Sequence, residues 1–376
     1  MTTLIADQSG SPRATSIGPL IDADVHEMIG DPLVFLMHVE EPYRSRLHQD
    51  NWKGVSLPYS WPTTGGLARP DAIPANGRRA GSDYDLMRRQ HLDAYDVSYA
   101  VLTGLMYPSE WRVQPDFAQA LARAYNNWLV AEWLAKDPRF LGSVHVAAQD
   151  PLVAAAEIDR VGQHPQIVQV MLPVISHDTL GREFYHPVYE AAARNGLAVG
   201  FHTGATAQTA AGLPPYYIEW HTALCQAWQS QLISLVVGGV FNKVPDLRIA
   251  MIESSWTWLP HLMWRFDHNY RSLRREVPWV KRLPSEYIRD HVKFTTQPME
   301  VADNPAHMYQ MFEMVGSDEF LMFSSDYPHW DFDSPEHSLP SSFPADLRQK
   351  IMYDNAASFY RLPDRTAAGR PGTASG

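Results

Sequence analysis

Short apolar runs alternate with helix-patterned segments along nearly the whole of this chain, and few folds accommodate that order. The runs at 21–27, 98–102, 141–147, 167–173, 197–202, 247–253, 291–296 and 320–326 are strand-like, rich in Val, Ile, Leu and Phe. Each is followed by a segment with helical spacing of apolar residues, at 84–95, 116–134, 151–161, 184–195, 222–237, 259–275, 306–314 and 344–359. Two stops are chemically marked: Pro138 forbids continuation of the helix before it, and Gly196 suits the cap after 184–195. Strands separated by helices run parallel, and eight such units predict an α/β fold, a (β/α)8 TIM barrel in a single domain. A doubly wound open sheet is the alternative, but no glycine-rich dinucleotide fingerprint follows any run.

The barrel is expected over 19–362, with flexible or disordered tails at 1–18 and 363–376. One interruption stands out. Residues 31–82 form a long insertion after the first strand, rich in Pro, Gly, Trp and Tyr. A loop of that length inside a compact domain usually serves as a lid or a substrate-binding wall. Its Trp52, Tyr59 and Trp61 are candidate contacts for a substrate, with Trp61 the first choice.

The first strand carries the densest chemistry. In Ile21-Asp22-Ala23-Asp24-Val25-His26-Glu27, apolar residues alternate with Asp22, Asp24 and His26, which places those three on one face of a regular strand. Burying three ionisable groups together is costly unless something positive neutralises them. A divalent metal does so, because carboxylate oxygen and imidazole nitrogen suit zinc, manganese and iron. The alternative is an edge strand with a solvated polar face.

Charge and cysteine content narrow the partners. The net charge of −11 disfavours nucleic acid and anionic membrane surfaces, leaving a small-molecule substrate as the expected partner. Cys225 stands alone, so neither an intrachain disulfide nor a thiolate metal cage can form. The first residues carry no apolar run of a signal peptide, no stretch reaches the roughly 20 apolar residues of a membrane span, and a cytoplasmic location is expected.

A barrel places its chemistry at the C-terminal ends of its strands. Asp24 and His26 stand at the end of the first run, His177 lies just after the fourth, and His202 ends the fifth. The sixth ends in Glu253, and the eighth in Asp326 with His329 close behind. So many ligand-type side chains on one rim strengthen the metal reading.

These residues sit in segments that resemble a known family. Val199-Gly-Phe-His202-Thr-Gly, Pro245-Asp-Leu-Arg-Ile-Ala-Met-Ile-Glu253-Ser and Phe323-Ser-Ser-Asp326-Tyr-Pro-His329 are similar to the amidohydrolase superfamily. The nearest branch includes the aminocarboxymuconate-semialdehyde and resorcylate decarboxylases, and the resemblance runs from Ile21 to about Leu362. It implies Asp24, His26, His202 and Asp326 as metal ligands, zinc as the first choice of metal, and manganese or iron as alternatives. It also implies a metalloenzyme acting on a small carboxylate or aromatic acid by decarboxylation or hydrolysis. Three positions depart from the superfamily pattern: Asp24 stands where His or Glu is usual, Val170-Met-Leu-Pro173 offers no bridging lysine or glutamate, and Glu253 replaces a frequent histidine.

Asp326 is the expected acid/base as well as a ligand, and His329 could orient it or supply a proton. Glu253 is a candidate base, additional ligand or structural acceptor. The longer run Asp326-Tyr-Pro-His-Trp-Asp-Phe-Asp333-Ser-Pro is similar to subunits of the two-component 2-aminoisobutyrate hydroxylases. That similarity implies a manganese/iron or diiron oxygenase as an alternative, with His177, Glu253 and His329 recruited by a second metal. It also leaves open a metal-stabilised partner subunit, in a homo-oligomer or in a hetero-oligomer with a related barrel. Trp256 is a second candidate substrate contact, although Trp256, Trp258, Trp264 and Phe266 also read as core or subunit contact.

Overall fold

The computed structural model describes residues 18–52, 68–104, 114–203 and 209–363. Eight parallel strands follow one another in sequence order around the sheet: β1 (Leu20–Val25), β2 (Val97–Leu102), β3 (Phe140–His145), β4 (Ile167–Pro173), β5 (Ala198–His202), β6 (Ile249–Met251), β7 (Val292–Thr295) and β8 (Leu321–Met322). The expected (β/α)8 barrel is therefore the fold. The ring closes without a regular β8–β1 ladder: Ala23 N–H donates to Phe323 O, His26 N–H to Tyr327 O, and Asp326 N–H to Asp24 O. The expected tails, apart from Gly18 and Pro363, and the candidate substrate contacts Tyr59 and Trp61 lie outside the described residues.

Ile21, Ala23, Tyr99, Val101, Leu141 and Met171 belong to one buried cluster that fills the barrel interior. Leu20, Val25, Ala100 and Leu102 join the larger shell between strands and helices. This alternation is the strand period expressed as two cores. Among the described residues, the helical layer contains five short helices that the sequence pattern did not reveal: Pro32–Leu36, Tyr43–Gln49, Tyr217–Ala223, Val240–Lys243 and Pro284–His291. Such short pieces span too few turns to show a period, and Pro32 and Pro284 occupy first-turn positions where proline is tolerated.

Two strands end earlier than their apolar runs suggest, for a specific reason. Side-chain acceptors take over from the ladder: Thr296 Oγ1 receives Ser324 N–H, Asp22 Oδ1 receives Ser325 N–H and Thr295 Oγ1 receives Glu253 N–H, each at 3.0 Å. Both chains then turn through left-handed backbone, at Glu253 (φ 54°) and Asp326 (φ 59°). A non-glycine residue there costs on the order of 1–3 kcal/mol and tends to mark functional positions.

β1 also departs from regular alternation. Three steps from Asp22 to Val25 are matched by two from Ala100 to Leu102 on β2, so β1 carries one extra residue. Asp22, Asp24 and His26 consequently do not share one face, which corrects the reading of the strand as regular. Asp22 instead bonds His91 Nε2 at 2.7 Å through Oδ2, while its Oδ1 accepts the backbone N–H of Asp24 at 3.1 Å as well as that of Ser325. Asp22 thus ties β1 to the segment preceding Asp326. Asp22→Ala leaves these buried donors unmet, at about 1–3 kcal/mol for each such group. An expected loss of about 3 kcal/mol or more should appear in urea unfolding, and a loss below about 1 kcal/mol would refute the clamp.

Candidate metal centre

The bulge delivers Asp24 and His26 to the C-terminal mouth of the barrel, where β5 delivers His202 and the turn after β8 delivers Asp326. One ligand atom from each of these four residues lies within 4.8 Å of the others, and all four side chains are fully buried. His26 Nε2 is 2.8 Å from Asp326 Oδ1 and 3.5 Å from Asp24 Oδ1, and His202 Nε2 is 3.4 Å from Asp24 Oδ2.

The protonation pattern makes the cluster informative. His26 Nδ1 lies 3.0 Å from Gly104 O, and His202 Nδ1 lies 3.0 Å from Thr203 O. A carbonyl oxygen only accepts, so each Nδ1 carries the proton in that bond. Each imidazole then turns its other ring nitrogen, Nε2, toward carboxylate oxygens, the side from which it could ligate a cation. The Oδ2 atoms of Asp24 and Asp326 are buried without a hydrogen-bond partner. Two imidazoles and two carboxylates fit a divalent cation of the zinc, manganese or iron type.

Burial and the neighbouring charges oppose each other at the carboxylates of the cluster. Burial pushes the Asp326 carboxyl up, but His329 and His26 override it and hold the group below the usual carboxylate range. Burial likewise opposes ionisation of Asp24, and His26 and His202 outweigh it. His329 Nδ1 approaches Asp326 Oδ1 to 2.6 Å, and its ring stacks on His26 at 4.3 Å between centroids. Burial lowers His329, yet the charge and hydrogen bond of Asp326 carry it up to about 9. Glu253 Oε2 lies 3.3 Å from His202 Nε2. Burial, then the charges of Asp326, Asp331 and Asp24, raise the Glu253 carboxyl well above its ordinary value.

The other sequence candidates separate clearly. His177 is 69% exposed and pairs with Asp178 at 3.7 Å, apart from the four-residue cluster. Its position in the loop after β4, instead of on the strand, takes it away from the site. Trp256 is fully buried and packs edge-on against Phe312 and Phe320 at 5.3 Å each, so its assignment as a substrate contact is corrected to a core role. The left-handed Ser255 (φ 56°) turns the chain just before it.

Several neighbours of the site escaped the sequence pattern. Thr103 Oγ1 donates to Asp24 Oδ1 at 2.7 Å from the end of β2. His221, on the helix Tyr217–Ala223, lies 3.6 Å from Asp331 Oδ2 and 3.9 Å from Glu253 Oε1. Burial and the charge of Asp326 raise Asp331 to about 7. Thr103 has no ligand chemistry to flag it, and His221 gains meaning only when its helix folds back over the mouth. The run of acidic residues after Asp326 was a usable signal for Asp331.

A parallel barrel with a His and carboxylate cradle at its carboxyl rim defines a (β/α)8 protein with a candidate cation site. The sequence model described as amidohydrolase matches residues 21–362, and the chain belongs to that family. The gamma-resorcylate decarboxylase of Polaromonas sp. (strain JS666 / ATCC BAA-500) is 25% identical over 261 residues, covering 65% of this chain and 77% of that protein. Among solved structures, a dihydroxybenzoic acid decarboxylase from Polaromonas sp. JS666, with bound manganese and 2-nitroresorcinol, superposes with a TM-score of 0.65 at 18% identity, covering 93% of this chain and 99% of that one. A 5-carboxyvanillate decarboxylase from Novosphingobium aromaticivorans DSM 12444, complexed with manganese, gives a TM-score of 0.64 at 18% identity, covering 94% of this chain and 100% of that one. Among the described residues, no helix is long and apolar enough to cross a membrane.

Proposed function

We propose that this protein is a metal-dependent decarboxylase of small aromatic acids, with Asp24, His26, His202 and Asp326 holding one divalent cation. The observation that carries the reading is the pair of imidazoles, each donating Nδ1–H to a backbone carbonyl and turning Nε2 toward Asp24, with the His26 Nε2 also facing Asp326. The manganese named in the similar structures moves the choice of metal from zinc to manganese. When bound, such a cation would polarise substrate oxygens next to the reacting carbon.

The chain's own residues supply the rest. Asp24 is fixed by the Thr103 hydroxyl and Asp326 by the Asp24 carbonyl, so both carboxylates are positioned before a substrate arrives. His329 keeps a proton shared with Asp326 Oδ1 and is the nearest reserve from which a ring carbon could be protonated. Proton gain at that carbon and loss of carbon dioxide from it balance the reaction. Glu253 and His221 border the same mouth, where they can orient a substrate. Fixed donors that hold a developing charge contribute more than mobile ones.

The test is incubation of the purified protein with a dihydroxybenzoic acid. Carbon dioxide release that stops with a chelator and returns with manganese supports the reading. Inert aromatic acids combined with metal-dependent cleavage of an amide or lactone would make the chain a hydrolase.

A second reading has its own observation. Glu253 Oε2 is buried without a hydrogen-bond partner beside His202, and His329 lies against Asp326. These are positions from which a second cation could be held, as the oxygenase alternative requires. Two metals per chain, including iron, would favour that reading over decarboxylation.

A further inference from the structure

The backbone at the end of β2 reaches the metal cradle twice. Thr103 Oγ1 donates to Asp24 Oδ1 at 2.7 Å, and Gly104 O accepts from His26 Nδ1 at 3.0 Å. Neither residue is free to move. His145 Nε2, on β3, bonds Thr103 O at 2.9 Å, and Glu27 Oε2 accepts the Gly104 N–H at 3.0 Å. The other oxygen of Glu27 accepts the Tyr125 hydroxyl from the helix Pro115–Leu129.

Glycine is required at this point. Gly104 has φ +61°, and a Cβ there would meet the Tyr125 hydroxyl oxygen at 1.9 Å. The backbone therefore lies against Tyr125 at a separation that no other residue permits. Glu27 itself is 1% exposed and Tyr125 is 1% exposed, so water does not compete for these bonds.

We infer that Glu27, braced by Tyr125, is a positioning residue for the metal centre: it fixes Gly104, whose carbonyl in turn sets the tautomer and aim of His26. The link runs through the two peptides that meet at the Gly104 Cα: the N–H of the first is held by Glu27, and the C=O of the second holds Nδ1. Loss of the Glu27 acceptor loosens the backbone about Gly104, a residue with few steric limits of its own, and the His26 ring loses the bond that points Nε2 at Asp326. Partners of this kind to a ligating histidine typically change metal affinity by about 10–100-fold. The inference rests on the metal reading above and extends it to residues that touch no cation.

The experiment is a titration of the metal-free full-length protein with manganese, followed by calorimetry and by the manganese electron paramagnetic resonance line shape. Glu27→Ala is expected to bind manganese about 10–100-fold more weakly than wild type, with an altered line shape. Glu27→Gln retains one oxygen for the Gly104 N–H, and its amide can donate to the Tyr125 oxygen. It should therefore return to within about threefold of wild type, a rescue that a role confined to core packing does not predict for metal affinity. Wild-type affinity and line shape in Glu27→Ala, or a Gln variant as weak as the Ala variant, would overturn the inference. If Glu27→Ala fails to fold, Tyr125→Phe decides: weaker binding with a changed line shape supports the brace, and wild-type binding refutes it. Wild-type protein that takes up no manganese would overturn the metal reading itself, a result distinct from either of these.

Discussion

Replacing Asp326 with alanine is expected to weaken manganese binding by at least about 100-fold, the upper end of what loss of a mere outer partner costs. Asp326 is worth more than such a partner because it sits at the convergence of the site. Its Oδ1 meets His26 Nε2 at 2.8 Å and His329 Nδ1 at 2.6 Å. Its backbone N–H is also held by Asp24 O, so the side chain enters the mouth from a fixed point. Activity measured at saturating manganese should fall by a further factor on the order of 10²–10⁴, the usual contribution of a positioned acid or base. Calorimetry and turnover read the two losses separately. Full binding with lost turnover would leave Asp326 as acid/base alone, and unchanged values of both would remove it from the site.

The second large effect concerns a fully buried residue packed among aromatic rings. Trp256→Ala should destabilise the protein by about 3–5 kcal/mol, the range for deleting a large buried aromatic side chain. The indole contacts Phe312 and Phe320, and Phe320 in turn packs on Phe294, so its removal opens a cavity where β7, the start of β8 and the helix Pro305–Val315 meet. Urea unfolding measures the loss, and manganese affinity of the folded fraction should stay at the wild-type value. A stable variant with an impaired Michaelis constant would restore Trp256 as a substrate contact and contradict the core assignment.

The barrel was legible because alternation of strand and helix patterns is a property of whole segments, and local irregularity does not erase it. Asp24, His26, His202 and Asp326 were legible because strand ends in such a fold share a rim. The bulge was not. It depends on the register of β1 against β2, and a one-residue shift that turns Asp22 away from Asp24 leaves no trace in the alternation itself. His177 failed for a related reason: nearness to a strand end in sequence does not place a loop residue in the mouth.

The supporting groups were hidden for a different reason. Thr103 and Gly104 act through a hydroxyl and a peptide, which no spacing rule picks out. Glu27 was visible beside His26, but its partners come from a residue 77 positions away at Gly104 and from Tyr125, 98 positions away. Such a contact is a product of tertiary folding alone. His221 and Asp331 are likewise joined only by the return of the helix Tyr217–Ala223 over the turn that follows Asp326.

The most direct test of the central claim is anomalous diffraction from crystals of the protein grown with manganese, recorded on either side of the manganese edge. The account predicts one strong peak per chain, bounded by Asp24, His26, His202 and Asp326. A peak elsewhere, or none among these four residues, would contradict it.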